Sequence, residues 1–286
     1  MKLQHQLQQL QQKQPSSILE LIISWLIVAG FIIAIYYNAY TKDLSLTSSS
    51  TPYQVNLTCD NYVLNTFLYV ILGLVLIVSL CMLNDRIPII PEFLFTFQIN
   101  NIIFNIILII IIITLLLGLI YLIKSTDPNR TLLINAYWFG FMYILACIFY
   151  FIYQYSRILN VFYLGCIIVL IISISTCIIA LEYPYLIDTN MKNNILFIFI
   201  FLFIVAIGIP FIIKDIQTLI KIYIVIIIGF IILFILFLLS EVATLRIKAT
   251  QCIIPNYPAE SLMITYNIWI IFKNVLNLLV FNRLRT

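Results

Sequence analysis

Histidine is almost missing from this sequence, whose 286 residues hold one, His5, within a glutamine-rich N-terminal tail. That scarcity excludes a Ser-His or Cys-His triad, histidine-rich zinc sites, haem held by paired histidines and the histidine-containing diacidic motifs of many membrane enzymes. Glycine is nearly as scarce. Its seven residues, at 30, 73, 118, 140, 165, 208 and 229, form neither a phosphate-cradling cluster nor a GxxxG pair, which argues against a nucleotide-driven transporter. Charged residues are 9% of the chain, and none of Asp43, Asp60, Asp85, Asp127, Asp188 or Asp215 sits in the middle of an apolar run. An aspartyl intramembrane protease, which needs two such aspartates, is therefore excluded. No catalytic residue, metal ligand or cofactor is expected, and the chain reads as a non-enzyme.

Hydrophobic residues make up 64% of the sequence and the mean hydropathy is +1.13, values that no soluble domain with a water-facing surface carries. The expected fold is all-α, a polytopic transmembrane helical bundle. Using roughly 20 residues per crossing, the apolar runs place spans near 18–37, 62–83, 102–123, 132–154, 161–181, 195–213, 222–240 and 260–281. Isoleucine dominates these runs, yet they are continuous rather than alternating, and lipid leaves only helices or closed barrels. Residues 1–17 form a polar tail, and 18–286 a single transmembrane domain with no room for a soluble one. Because Tyr36, Tyr37 and Asn38 follow the first run without a small-residue cleavage site, that run reads as a retained span. Pro210 is expected to kink or close the sixth run.

A net charge of +4 is ordinary for a membrane protein and implies no nucleic-acid partner. With eight crossings and a cytoplasmic N-terminus, eight basic residues fall inside against six outside, barely a preference. The sequons Asn56-Leu57-Thr58 and Asn129-Arg130-Thr131 fall outside in the same arrangement. Six cysteines, at 59, 81, 147, 166, 177 and 252, show no CxxC and no pairing pattern. Four of them lie within apolar runs, where cysteine behaves as a small buried hydrophobe.

The intramembrane polar inventory is short: Asn65, Asn105, Asn135, Glu241, and the set Glu260, Asn267, Lys273, Asn274 and Asn277. Positions 260, 267 and 274 repeat by seven and 277 follows by three, so these four share one helical face. Such a helix belongs inside a bundle, where its amides either bond neighbouring helices or line a polar path. Glu241 stands directly behind the run Phe230 to Leu239, ahead of a polar connector (242–258). An ionisable group there is a functional candidate, as a pH gate near Asn267 or Glu260. The plainer reading is a boundary charge facing headgroups beside Arg246 or Lys248.

These last two runs resemble the Bax inhibitor (TMBIM, or LFG) family of multi-span membrane proteins. Ser240-Glu241-Val242-Ala243 stands where that family ends its sixth helix in Tyr/Phe-Asp-Thr-Gln, and the stretch Ser261 to Ile268 where its last helix carries a second aspartate, here Asn267. About 60 residues carry the likeness. It implies a seven-helix core round a central last helix, here with an extra N-terminal span. It also implies a pH-sensitive leak for calcium or other cations and a role in intracellular calcium and cell death, in an endomembrane (endoplasmic reticulum or Golgi). Glu241, Asn267, Glu260 and Asn274 would form the gate or ion path. Replacement of the second aspartate by Asn267 removes the like-charge coupling through which a carboxylate pair shares a proton. The expected partners are the lipid bilayer, transient cations and other membrane proteins. The rival reading is a structural or assembly subunit of a larger membrane complex with no transport activity of its own.

Overall fold

The computed structural model describes residues 17–41, 56–57, 59, 61–87, 102–124, 131–185, 189–213, 215–252 and 255–285. Within them lie eight helices, one over each apolar run: α1 (Ile18–Ala39), α2 (Tyr62–Arg86), α3 (Ile102–Ile123), α4 (Thr131–Ile158), α5 (Phe162–Glu182), α6 (Thr189–Ile212), α7 (Ile216–Ala249) and α8 (Tyr257–Arg285). The sole extended structure among the described residues is a two-residue antiparallel bridge, β1 (Tyr40–Thr41) with β2 (Asn56–Leu57), pairing Tyr40 with Leu57 and Thr41 with Asn56. The fold is therefore the all-α bundle of a multi-pass membrane protein. Six helices are long and apolar enough to cross a bilayer: α1, α2, α4 over Thr131–Tyr150, α5, α7 over Gln217–Ala249, and α8 over Tyr257–Arg283. The apolar stretches Ile113–Ile123 of α3 and Asn193–Ile209 of α6 are shorter.

Helix ends follow local chemistry. Ser17 and Glu20 form a reciprocal capping box at the start of α1: the Ser17 hydroxyl accepts from the Glu20 N–H at 3.1 Å, and the Glu20 carboxylate accepts from the Ser17 N–H at 3.1 Å. Asp215 caps α7, accepting from the Thr218 N–H at 2.9 Å. Asn256 opens α8 by accepting from the Ala259 N–H at 3.2 Å, and its amide donates to the Ile123 carbonyl at the end of α3 at 2.9 Å. Asn61 and Asn160, with φ of 52° and 54°, turn the chain into α2 and α5 from the left-handed region that asparagine tolerates. Pro210 falls in the last turn of α6, which ends at Ile212.

The chain divides into two compact units. The first comprises residues 1–154 and 252–262. Its most buried helix is α2, with Tyr69, Val70, Leu72, Leu76, Ile77 and Cys81 all under 4% exposed. In lipid these contacts gain little from the hydrophobic effect, so close packing and hydrogen bonds hold the helices together. The Trp138 indole N–H donates to Ser261 Oγ at 3.2 Å, and the Tyr69 hydroxyl donates to Asn135 Oδ1 at 2.8 Å. Tyr62 and Tyr69 both pack against the Tyr257 ring.

The second unit comprises residues 155–251 and 263–286. In it α5 buries one stripe, Phe162, Gly165, Val169, Ser173, Thr176 and Ala180, spaced three and four apart, while Ile167, Leu170, Ile171 and Ile174 face outward. Gly165 meets α8 directly, since a Cβ there would fall inside the Leu276 side chain. A run of rings joins three helices: Phe199 of α6 lies 5.9 Å from Phe234 of α7, which lies 6.4 Å from Tyr266 of α8, itself stacked on Trp269 at 5.8 Å.

Two features depart from the expectations drawn from sequence. Helix α7 does not stop at Ser240 but continues to Ala249, so Val242 to Ala249 is helix rather than connector. And two cysteines do pair: Cys59, before α2, is disulfide-bonded to Cys252, before α8, across 193 residues. Cys81 and Cys147 remain buried free thiols. A disulfide between these two connections puts both on one side of the bilayer, so an even number of crossings separates them. Of the six long helices, α2, α4, α5 and α7 lie between the two cysteines. Evenness then requires that α3 and α6 either both cross or both do not.

Candidate functional site

The four residues singled out from the sequence lie on α7 and α8. Glu241 is half-buried and sits eight residues before the end of α7, flanked by the buried Ser240, Val242 and Ala243. Asn267 is 3% exposed on α8, and Asn274, two turns further on, is half-buried. Glu260 belongs to the first unit, in the first turn of α8, where its half-buried carboxylate acts electrostatically on the Tyr62 phenol.

Phe234 of α7 packs against Tyr266 of α8. The amide Nδ2 of Asn267, its only donor, has no hydrogen-bond partner, so it makes no bond to the Glu241 carboxylate. Glu241 instead ends the uncharged part of a 34-residue helix, which is about 51 Å long against a hydrocarbon core of about 30 Å. Arg246 and Lys248 follow it on the same helix and are exposed.

Inside α8 the polar groups point to several sides, Thr265 and Asn267 being two residues and so about 200° apart. Thr265 Oγ1 and Asn267 Nδ2 are buried without partners, and so is Ser173 Oγ on α5. Buried polar atoms of this kind are rare and call for water or a ligand group. A different face, Tyr266, Ile270, Lys273 and Asn277, spaced four, three and four apart, is half-buried throughout. The opposite face, Ile264, Ile268, Ile271 and Val275, is buried to 6% exposure or less.

Lys273 is the residue whose weight the sequence pattern understated. Its ammonium lies over the Trp269 ring, 5.9 Å from the centroid, at the end of the aromatic run from α6 and α7. Among the described residues no carboxylate pairs with it. Arg283 follows ten residues later and Glu260 precedes it by thirteen, rises of about 15 and 20 Å. That puts Lys273 near the centre of a core about 30 Å thick, beyond the reach of snorkelling to either surface.

The cysteine pair is the other feature missed by reading motifs alone. A signal was present, since Cys59 and Cys252 are the two cysteines outside the apolar runs. No group of three or more His, Cys, Asp or Glu side chains able to hold a metal occurs among the described residues. Fold and site together define a polytopic α-helical membrane protein with a lysine, Lys273, within its last apolar helix. No family model, curated protein or solved structure matches the chain.

Proposed function

We propose that this chain is a non-enzymatic subunit of a larger membrane assembly, in the endoplasmic reticulum or Golgi membrane, held to its partners through its spans. The observation that carries the reading is Lys273. A lysine at the bilayer centre costs on the order of 3 kcal/mol on insertion scales, and a cation–π contact returns about 0.5 to 2 kcal/mol. A chain that functions alone has no evident use for the remainder. A chain whose partner supplies the counter-charge does. The Cys59–Cys252 disulfide supports a compartment with an oxidising lumen, because such bonds persist there and not in the cytosol.

A second reading, a passive pH-sensitive calcium or cation leak of the Bax inhibitor kind, is favoured by the unpartnered Asn267 Nδ2 and Thr265 Oγ1, groups that water or a hydrated ion would satisfy. Against it stands Lys273 on the same helix, since a fixed positive charge in low dielectric raises the barrier to cations. Purification in mild detergent, followed by reconstitution into calcium-loaded liposomes, separates the two. The assembly reading expects stoichiometric partners and no calcium flux from the chain alone. Flux from the isolated 33.3 kDa chain that falls in Asn267→Leu and loses its pH dependence in Glu241→Gln would replace it with the leak.

A further inference from the structure

Resting on the endomembrane placement and not on the assembly reading, we infer that Asn56 is the acceptor of an N-linked glycan on the lumenal side of the membrane. Three observations on the first unit carry this. Asn56-Leu57-Thr58 is an Asn-x-Thr sequon with no proline at its middle position. Cys59, the next residue, is exposed and disulfide-bonded to Cys252, and such a bond forms in the oxidising lumen, the same compartment in which glycans are attached to asparagine. The backbone at Asn56 and Leu57 is extended, as β2, and pairs with Thr41 and Tyr40 directly after α1, so the acceptor belongs to the connection between α1 and α2 and to neither helix.

The cysteine fixes the side of the membrane. Three residues of fully extended chain, the step from Asn56 to Cys59, reach at most about 11 Å, well short of a hydrocarbon core about 30 Å thick, so both residues share one surface. The order of synthesis leaves time for the transfer. Cys252 is made 193 residues after Cys59, an interval of about 10 to 40 s at about 5 to 20 residues per second. Until then the disulfide cannot hold the connection, and a bridge as short as β1–β2 is marginal by itself in water. The step is a group transfer: the Asn56 amide nitrogen bonds to C1 of an oligosaccharide carried on a polyprenyl diphosphate, and the bond from C1 to the diphosphate oxygen breaks. The polyprenyl diphosphate leaves, and one amide proton passes to a base of the membrane transferase.

The test translates the full chain into endoplasmic reticulum microsomes and reads its mobility on a denaturing gel, a measurement that does not depend on how well a variant folds. The wild type is expected to run as a slower band that peptide N-glycosidase shifts to the position of the unmodified chain. Asn56→Gln and Thr58→Ala are each expected to lose one glycan's shift, and Thr58→Ser to keep it. A wild-type band that the glycosidase does not move, or one whose position Asn56→Gln leaves unchanged, overturns the inference. In parallel, a membrane-impermeant maleimide is applied to microsomes carrying Cys252→Ser, in which Cys59 is a thiol. Labelling of Cys59 only after the lumen is opened supports the endomembrane placement, so that an unglycosylated chain with a lumenal Cys59 overturns the glycan alone. Labelling in intact microsomes overturns the placement and the glycan with it. Neither result bears on the partners of the chain, so the assembly reading stands or falls separately.

Discussion

Breaking the Cys59–Cys252 bond is the perturbation whose size follows most directly from the structure. For cysteines 193 residues apart, the chain-entropy relation gives about 5 kcal/mol of stabilisation. That figure refers to a free coil in water. In a bilayer the spans stay inserted when tertiary packing is lost, so the two connections are already confined to one surface before the bond forms. Much of the loop entropy is thus absent from the reference state, and an effect of about 2 to 3 kcal/mol is expected. For a chain of this length it corresponds to a fall in melting temperature of about 5 to 10 °C. Cys59→Ser and Cys252→Ser should each show it in detergent, and reduction of the wild type should match them. A membrane-impermeant maleimide should label both thiols from the lumenal side, and only after reduction. The reasoning fails if reduction leaves the melting curve in place, or if either thiol in unreduced protein reacts readily. Labelling of the two from opposite sides would refute the even number of crossings between them.

Smaller perturbations report on single contacts. Gly165→Leu drives a side chain into the buried Leu276 and Phe272 and should destabilise by about 1 to 3 kcal/mol in detergent unfolding, with Gly208→Ala, which meets open space, near neutral. Trp138→Phe removes the bond to Ser261 Oγ and should cost about 1 kcal/mol by the same measurement. Asp215 is fully exposed, and its bonds from the Thr218 hydroxyl and N–H hold its carboxyl below the ordinary value of 3.8. Being depressed in the folded state, it stabilises α7 above that ordinary value, and the contribution fades as pH falls through the folded value. Amide exchange in the first turn of α7 should therefore speed up on acidification in the wild type and be fast and pH-insensitive in this respect in Asp215→Ala.

How much of this was legible in the sequence depends on whether a signal is local. The helical class follows from uninterrupted isoleucine- and leucine-rich runs, because no other backbone satisfies its hydrogen bonds in lipid. The end of α7 was not legible from polarity. Glu241 is polar, but Val242 to Ala249 contains neither glycine nor proline, and the helix stops only as the chain nears Pro255. Polarity marks where a helix leaves the hydrocarbon; backbone chemistry marks where it ends.

The site was half legible. A seven-residue repeat identified the face that holds Asn267, and Asn267 is indeed among the most buried polar residues of α8. The repeat could not say which neighbour faces it, and the Asn267 amide nitrogen makes no hydrogen bond to the Glu241 carboxylate. Lys273 was visible as one member of a polar set. Its place over the Trp269 ring, with no carboxylate partner among the described residues, depends on tertiary packing, which no spacing rule contains. The disulfide is likewise tertiary, although the restriction of Cys59 and Cys252 to polar connections was a usable clue.

The central claim, that this chain belongs to a heteromeric membrane assembly, is tested most directly by the mass of the particle ejected from native membranes without prior exchange of lipid. The account predicts species heavier than the 33.3 kDa chain by the mass of at least one different polypeptide, lost selectively in Lys273→Leu. A spectrum holding only the chain with bound lipid, or integer multiples of the chain alone, would contradict it.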